Sequence, residues 1–574
     1  PQREETSPPA SAASRGPAAD GSRGASEADF AVIGLSGRYA NADNVTEFWR
    51  NLCAGENCIR EIPPERWDWR AYFSPQRGRA GSIYSKWGGF LREIDTFDPL
   101  FFHLSPLDAE RMDPQERLFL EEAYASIEDA GYTPGTLTPT RRVGVFVGVM
   151  NGTYSRKPTY WSIANRVSHV MDFQGPSLVV DTACSSSLTA IHLALESLRS
   201  GGCECAIAGG VNLIVDPSQY LSLSAQGMLS AGDSCRAFGD MADGFVDGEG
   251  VGAIVIKPLA AAAAADDHIY GVLKSSAINA GGRTHGYTVP NPQAQATVVA
   301  DAIQRAGVPA RAISCIEAHG TGTALGDPIE ILGLSKAFGR CTSDVQFCAL
   351  GSVKSNIGHC ESAAGIAGLT KLLLQLEHRM LVPSLHAEVA NPRINFARTP
   401  FVLQRTCCEW RRPLVEVNGE RVEYPRTAGL SSFGAGGANA HLIVQEHVGR
   451  AVVAQRAGRA AIPPFMFVLS GRDPTSLRER GRRLRGALAS GRFGDADLPR
   501  IAFTLQTGRD AMSQRLGFTA SSLAEVQARL DEFLATDGAA AAAGPGLHVG
   551  RVRSANGSAD AEATKLADGV TIRD

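Results

Sequence analysis

The stretch Val180-Asp-Thr-Ala-Cys184-Ser-Ser-Ser-Leu-Thr-Ala-Ile-His-Leu runs from an apolar strand into a small-residue helix, with a cysteine at the changeover. Unpaired backbone N–H groups and the positive end of a helix dipole at that point favour a thiolate, so a depressed thiol pKa and a nucleophile are expected. The N–H of Cys184 can also face a developing oxyanion. Taken alone, such a cysteine is more often inert packing, and its neighbours in the sequence must decide. Three other stretches offer chemistry: Glu317-Ala-His319-Gly-Thr-Gly-Thr323, Lys354-Ser-Asn-Ile-Gly-His359 and Ser431-Ser-Phe-Gly434-Ala-Gly-Gly-Ala-Asn439. The first sets an imidazole in a glycine-rich turn flanked by threonines, and the last, taken alone, is a weak phosphate-loop mimic or a plain tight turn.

In this order the four stretches resemble the beta-ketoacyl synthases, a branch of the thiolase superfamily, with Asp181-Thr-Ala-Cys-Ser-Ser-Ser187 similar to that family's active-site motif. The resemblance spans residues 29–447 and implies a role for each residue. Cys184 would take an acyl chain. His319 and His359 would donate hydrogen bonds to the carbonyl of a malonyl thioester as carbon dioxide leaves, and donors of this kind are each worth roughly 3 kcal/mol of barrier. Lys354 would orient the histidines and supply positive field. The N–H of Ala435 would complete the oxyanion hole. No metal and no cofactor bound by the domain itself are implied, because the substrates ride on the phosphopantetheine of an acyl carrier protein.

Ile62-Pro-Pro-Glu-Arg-Trp67, Met112-Asp-Pro-Gln-Glu-Arg117 and Ala208-Gly-Gly-Val-Asn212 look like the ketosynthase of a modular type I polyketide synthase. Tyr287-Thr-Val-Pro-Asn-Pro292 and the segment after Phe465 resemble synthases whose acyltransferase is a separate protein, and no Gly-His-Ser-x-Gly motif occurs up to Asp574. The implied partners are acyl carrier proteins, a second copy in a homodimer, neighbouring polyketide synthase domains and a separate acyltransferase. Two alternatives stand beside chain elongation: a branching ketosynthase working by conjugate addition, and a chain-translocating or scaffold module. For a scaffold, Arg478-Glu-Arg-Gly-Arg-Arg-Leu-Arg485 could face acidic carrier proteins, or could simply be a solvated charged face. The loop at residues 150–161 looks short for this branch.

The elements that position these residues are α/β. Val143-Gly-Val-Phe-Val-Gly-Val149, Ser177-Leu-Val-Val180 and Cys205-Ala-Ile-Ala208 read as buried strands, each followed by turn residues and a helical period. Residues 176–198 and 347–376 share one build, a strand turning into a small-residue helix, which suggests an internal structural repeat. The expected fold is the thiolase-like five-layered αβαβα architecture of two similar halves, about 29–260 and 261–447. A small C-terminal α+β flanking subdomain is expected over 465–552. Residues 1–28 and 448–464 read as linkers and 553–574 as a polar tail. Asp247-Gly-Glu-Gly-Val-Gly252 lacks the context of a nucleotide fingerprint and is assigned a structural role.

Composition bounds the rest. A chain of 574 residues exceeds a single hydrophobic core, and a net charge of -4 gives no electrostatic case for nucleic acid. No apolar run suggests a membrane span and no signal-peptide layout opens the chain, so a cytoplasmic protein is expected. The twelve cysteines are scattered, and neither Cys203 with Cys205 nor Cys407 with Cys408 has zinc spacing.

Overall fold

The computed structural model describes residues 29–152, 154, 159–417, 419–449, 463–535 and 546–552. The expected linker at 1–28, most of that at 448–464, and the tail at 553–574 lie outside the described residues, as does much of the loop at 150–161.

Eleven strands form the main sheet: β1 Phe30–Tyr39, β2 Val143–Gly148, β3 Ser177–Val180, β4 Cys205–Asn212, β5 Gly250–Pro258, β6 Gly271–Ala280, β7 Ile313–Glu317, β8 Cys348–Gly351, β9 Phe401–Leu403, β10 Thr427–Phe433 and β11 Ala438–Gln445. Their spatial order is β9-β8-β7-β10-β11-β6-β1-β5-β4-β2-β3. The two halves obey one rule. From the outer strand inward, the first half runs β3-β2-β4-β5-β1 and the second β8-β7-β10-β11-β6, with β9 added at the far edge. Strand directions repeat as well: β2 is parallel to β3 and β4, while β5 is antiparallel to β4 and β1. In the second half β7 is parallel to β8 and β10, and β11 is antiparallel to β10 and β6. The halves join edge to edge where Phe30, Ala31 and Val32 pair with Leu273, Val272 and Gly271. The repeat suggested by residues 176–198 and 347–376 is therefore topological, since β3 and β8 hold the same place in their halves.

Both faces of each half are covered, so strand residues of both parities are apolar. In β1, Val32 and Leu35 enter the central core while Ala31 and Ile33 enter an outer one. In β5, Ile254 and Ile256 face the centre and Ala253 and Val255 face outward. On the outer side of the first half lie helices α1 Pro114–Asp129 and α2 Trp161–Met171. Between the halves lie α3 Ser186–Arg199 and α6 Ala364–His378, and outside the second half α4 Pro292–Ala306 and α5 Gly326–Phe338. These five layers are those of the thiolase-like fold. Gly365 lets the two central helices touch: a Cβ there would lie 2.9 Å from the Leu188 backbone nitrogen.

Residues 463–552 add a small module. Strands β12 Phe465–Gly471, β13 Gln514–Ala520 and β14 Leu547–Arg551 form an antiparallel sheet, covered by α7 Pro474–Ala489, α8 Leu498–Thr507 and α9 Leu523–Ala535. Helix α8 goes beyond the elements expected from the sequence. Its Pro499 sits in the first turn, where a missing N–H costs nothing, and only Leu498 and Ala502 are buried, too weak a stripe to read. The module docks on α1 through Tyr124 Oη to Asp510 Oδ2 at 2.7 Å and Arg509 Nη1 to the Glu128 carbonyl at 2.8 Å.

Helix α7 does not present a free basic face. Arg482 and Arg483 pair with Glu479, Arg485 with Asp531 at 2.9 Å, Arg480 with Glu128 at 3.9 Å, and Arg478 donates to the Leu534 carbonyl at 2.7 Å. Arginines already tied within the fold would have to leave these partners to hold an acidic protein, so the solvated-face reading is the one the structure favours. No helix among the described residues is long and apolar enough to cross a membrane.

Candidate active site

Cys184 stands on the turn between β3 and α3. Ala183 before it adopts φ 55, a left-handed conformation that costs a non-glycine residue energy and is held here by its surroundings. The Ala183 N–H donates to Asp181 Oδ1 at 3.0 Å, the Thr182 N–H to Ser186 Oγ at 2.9 Å, and Ser432 Oγ to the Cys184 carbonyl at 2.7 Å. The last bond ties the cysteine turn to β10 of the other half. At Gly434 the two turns come so close that a Cβ would lie 2.2 Å from the Thr182 carbonyl oxygen. That approach aims the Ala435 N–H at the Cys184 sulfur, where it is a hydrogen-bond donor to a thiolate.

His319 follows β7 on a turn in which Gly320 and Gly322 have φ 42 and 68. The turn is fixed from below by buried carboxylates: Glu330 accepts the N–H groups of His319 and Gly320, each at 2.8 Å, and Asp327 accepts those of Gly322 and Phe238 at 3.1 and 2.7 Å. His359 follows the one-turn helix Lys354–Ile357. Its N–H donates to the Val246 carbonyl at 2.7 Å and its carbonyl accepts the Gly248 N–H at 3.0 Å. The two imidazoles meet with ring centroids 5.5 Å apart, and Phe433 and Phe245 pack on their outer sides. His359 Nδ1 accepts the Glu361 N–H at 3.1 Å, so its remaining proton sits on Nε2 and that nitrogen is a donor. His319 Nδ1 is buried with no partner.

The electrostatics separate the roles. Burial, then the Lys354 charge, hold both imidazoles well below the usual histidine range, so they are neutral donors at pH 7. Lys354 itself is buried. The expected depression of the Cys184 pKa does not occur. Burial and the nearby Glu361 carboxylate push the thiol well above its ordinary value, outweighing the Ala435 N–H and Lys354, which pull the other way. Desolvation of a thiolate against a neighbouring negative charge exceeds the help of one helix terminus.

The sequence-derived residues Cys184, His319, His359 and Ala435 share one cavity of about 680 Å³, while Lys354 is outside its lining and acts on the imidazoles through its charge. Two further residues were missed. Glu361 lines the cavity, with Oε2 3.4 Å from the Cys184 sulfur. Asp247 pairs as a backbone bridge with His359, is fully buried, and is pushed up by burial and by Glu361. Glu361 stands two residues past His359, and a carboxylate so near a chemical motif was the available signal. Asp247 gave none. Its neighbour Glu249 is structural, as expected for Asp247-Gly-Glu-Gly-Val-Gly252, since it binds Arg66 and the N–H groups of Leu91 and Ile214. Among the described residues, one group could hold a metal ion: Cys184, His359 and Glu361, whose ligand atoms lie within 4.8 Å of one another.

This geometry can bind a thioester, attack it with sulfur and hold two carbonyl oxygens with separate sets of donors. Residues 27–262 match the family model Beta-ketoacyl synthase, N-terminal domain, and residues 270–388 match Beta-ketoacyl synthase, C-terminal domain. A solved structure, the oxazolomycin ketosynthase domain OzmH KS7 of Streptomyces albus JA3453, is 42% identical with TM-score 0.84, covering 94% of this chain and 93% of that one. The chain belongs to the beta-ketoacyl synthase family.

The ketosynthase is also similar to that of module 6 of the bacillaene synthase from Bacillus subtilis 168, solved as a cysteine-to-serine mutant, at 39% identity and TM-score 0.82 over 91% of this chain and 87% of that one. Among curated proteins it is 61% identical over 506 residues to polyketide synthase PksM of Bacillus subtilis, and 53% identical over 545 residues to polyketide synthase ThaG of Burkholderia thailandensis. Those matches take in 88% and 91% of this chain but only 12% and 10% of the relatives, so the ketosynthase spans about a tenth of their length. Residues 468–537 match the model RhiE-like, KS-MAT linker domain, which falls on the small α+β module. The ketosynthase is of the polyketide synthase type, a condensing acyltransferase that extends an acyl chain by Claisen condensation.

Proposed function

We propose that this ketosynthase elongates a polyketide chain carried on acyl carrier proteins, with Cys184 as nucleophile and His319 and His359 as the donors that drive decarboxylation. The carrying observation is the single cavity in which the Cys184 sulfur, the two neutral imidazoles and the Ala435 N–H converge. In the first half-reaction the sulfur attacks the acyl thioester of a phosphopantetheine arm, and the N–H groups of Cys184 and Ala435 hold the tetrahedral oxyanion. Malonyl carrier protein then enters. Its thioester carbonyl accepts from the two imidazoles, carbon dioxide leaves, and the enolate carbon attacks the Cys184 thioester. The Cys184 sulfur leaves as a thiolate that takes a proton from water, and a beta-ketoacyl carrier protein departs. Lys354 keeps the imidazoles neutral.

Residues 29–447 form the condensing domain and 465–552 a flanking subdomain. A second copy fits at β3, the open edge of the main sheet, which leaves Leu178 47% exposed three residues before Asp181. The resemblance of Tyr287-Thr-Val-Pro-Asn-Pro292 and of the flanking module to synthases with a separate acyltransferase supports malonyl loading in trans. Neighbouring polyketide synthase domains and a cytoplasmic setting follow from the same reading. The test is condensation of acyl and malonyl carrier proteins by the Cys184→Ala variant. Loss of beta-ketoacyl product is expected, and product at near wild-type rate would sink the assignment.

A further inference from the structure

One buried carboxylate touches the reacting sulfur and has no part in the cycle above. Glu361 is 3% exposed and adopts φ 44, a left-handed conformation strained for a residue with a side chain. It occupies the turn between His359 and α6, with Oε2 3.4 Å from Cys184 Sγ and within 4.8 Å of a His359 ring nitrogen.

Acyl transfer to this thiol has to begin with loss of the thiol proton, because the sulfur rests protonated at neutral pH. His359 cannot accept that proton, since its Nδ1 is occupied by the Glu361 N–H and its Nε2 already carries one. His319 is a weak acceptor for the same electrostatic reasons as its neighbour. Lys354 is a cation. The carboxylate in contact with the sulfur is what remains.

We propose that Glu361 is the general base of the first half-reaction, taking the Cys184 thiol proton and returning it to the thiolate that leaves. This rests on Cys184 being the nucleophile. The step balances: the S–H bond breaks as Oε2–H forms, and the sulfur pair attacks the thioester carbon. The tetrahedral intermediate then expels the carrier thiolate, which recovers the proton from Glu361. Enzyme thiol and acyl thioester become acyl-enzyme and free carrier thiol with no further reactant.

The groups facing Glu361 tune it for this. Burial raises its pKa to about 7, while the Cys184 contact and Lys354 pull down. A base of that strength works best near neutral pH. His359 from the preceding turn is neutral, Cys360 beside it is a buried thiol held above its ordinary range, and Glu249 is neutralised by Arg66. Asp247, from the strand bridging His359, is pushed up by burial and by the Glu361 charge.

The experiment uses the full chain, Glu361→Gln and Glu361→Asp, with an acyl N-acetylcysteamine thioester. Single-turnover acylation is followed by intact-protein mass spectrometry from pH 6 to 9, beside decarboxylation of a malonyl thioester. Wild-type acylation should rise about tenfold between pH 6 and 8 and level off, as a base of this strength ionises. Glu361→Gln should acylate about a hundredfold more slowly at pH 7 and climb with pH without levelling, with Glu361→Asp within about tenfold of wild type. Decarboxylation by Glu361→Gln should stay within about threefold of wild type. Identical pH profiles for wild type and Glu361→Gln, or equal loss in both half-reactions with no rescue by Asp, would overturn this inference alone. An acyl adduct mapped to a residue other than Cys184 in the wild type would overturn the nucleophile assignment and this inference with it.

Discussion

His319 and His359 meet edge to face, with an angle of 84° between ring planes, although one follows a strand of the main sheet and the other a one-turn helix forty residues on. Two donors converging on one carbonyl act together, and removing either leaves the enolate half-held. Single His319→Ala or His359→Ala variants should each slow malonyl decarboxylation by about a hundredfold or more, and the double variant by much less than the product of the two. Single-turnover release of labelled carbon dioxide measures this. Acylation of Cys184 should survive in both single variants.

Burial and Lys354 hold both imidazoles neutral, which can be read directly by NMR. With folded pKa values well below the usual 6.5, neither ring gains its proton as pH falls from 8 to 6, so their C–H resonances should not titrate in that range. Lys354→Met removes one depressing cause from each ring, and the midpoints should move upward toward the ordinary histidine value. Midpoints unchanged in that variant would remove Lys354 from the electrostatic account.

The Ala435 N–H points at the sulfur and is proposed to hold the oxyanion of acyl transfer. Ala435→Pro deletes that donor, and loss of one such donor typically costs about 10²–10³ in rate. Acylation should fall by that factor while malonyl decarboxylation, which uses the two imidazoles, is largely kept. Equal loss of both would place Ala435 elsewhere in the mechanism.

Glu249 is buried, accepts two backbone N–H groups and pairs with Arg66, whose side chain is also nearly enclosed. Glu249→Ala strands the Arg66 charge and two donors inside the protein, and breaking a buried pair in this way costs about 3–5 kcal/mol. Denaturant unfolding should show a loss of that size, whereas Arg70→Ala, which removes an exposed pair with Asp68, should change stability little.

The amino-acid sequence by itself carried the motifs whose family resemblance implied the fold, and it pointed to Cys184, His319, His359 and Ala435, which the fold brings to one cavity. Cys184 at a strand–helix changeover, His319 in a glycine-rich turn, and the tight turn at Gly434 are local patterns, and local patterns are what a sequence carries. The apolar runs at Val143–Val149 and Cys205–Ala208 read as buried strands, and both lie fully buried in the main sheet. Tertiary structure decided how those residues act. The Cys184 thiol rises instead of falling because its pKa sums burial and every nearby charge, and Glu361, 177 residues away in the chain, is one of them. Glu361 and Asp247 reach the site through a left-handed turn and a backbone bridge to His359, neither of which leaves a periodic trace. The arginines of Pro474–Ala489 show the reverse. In the sequence they look like a free charge run, and in the fold they are bound to Glu479, Asp531, Glu128 and the Leu534 carbonyl, because partners are set by packing in three dimensions.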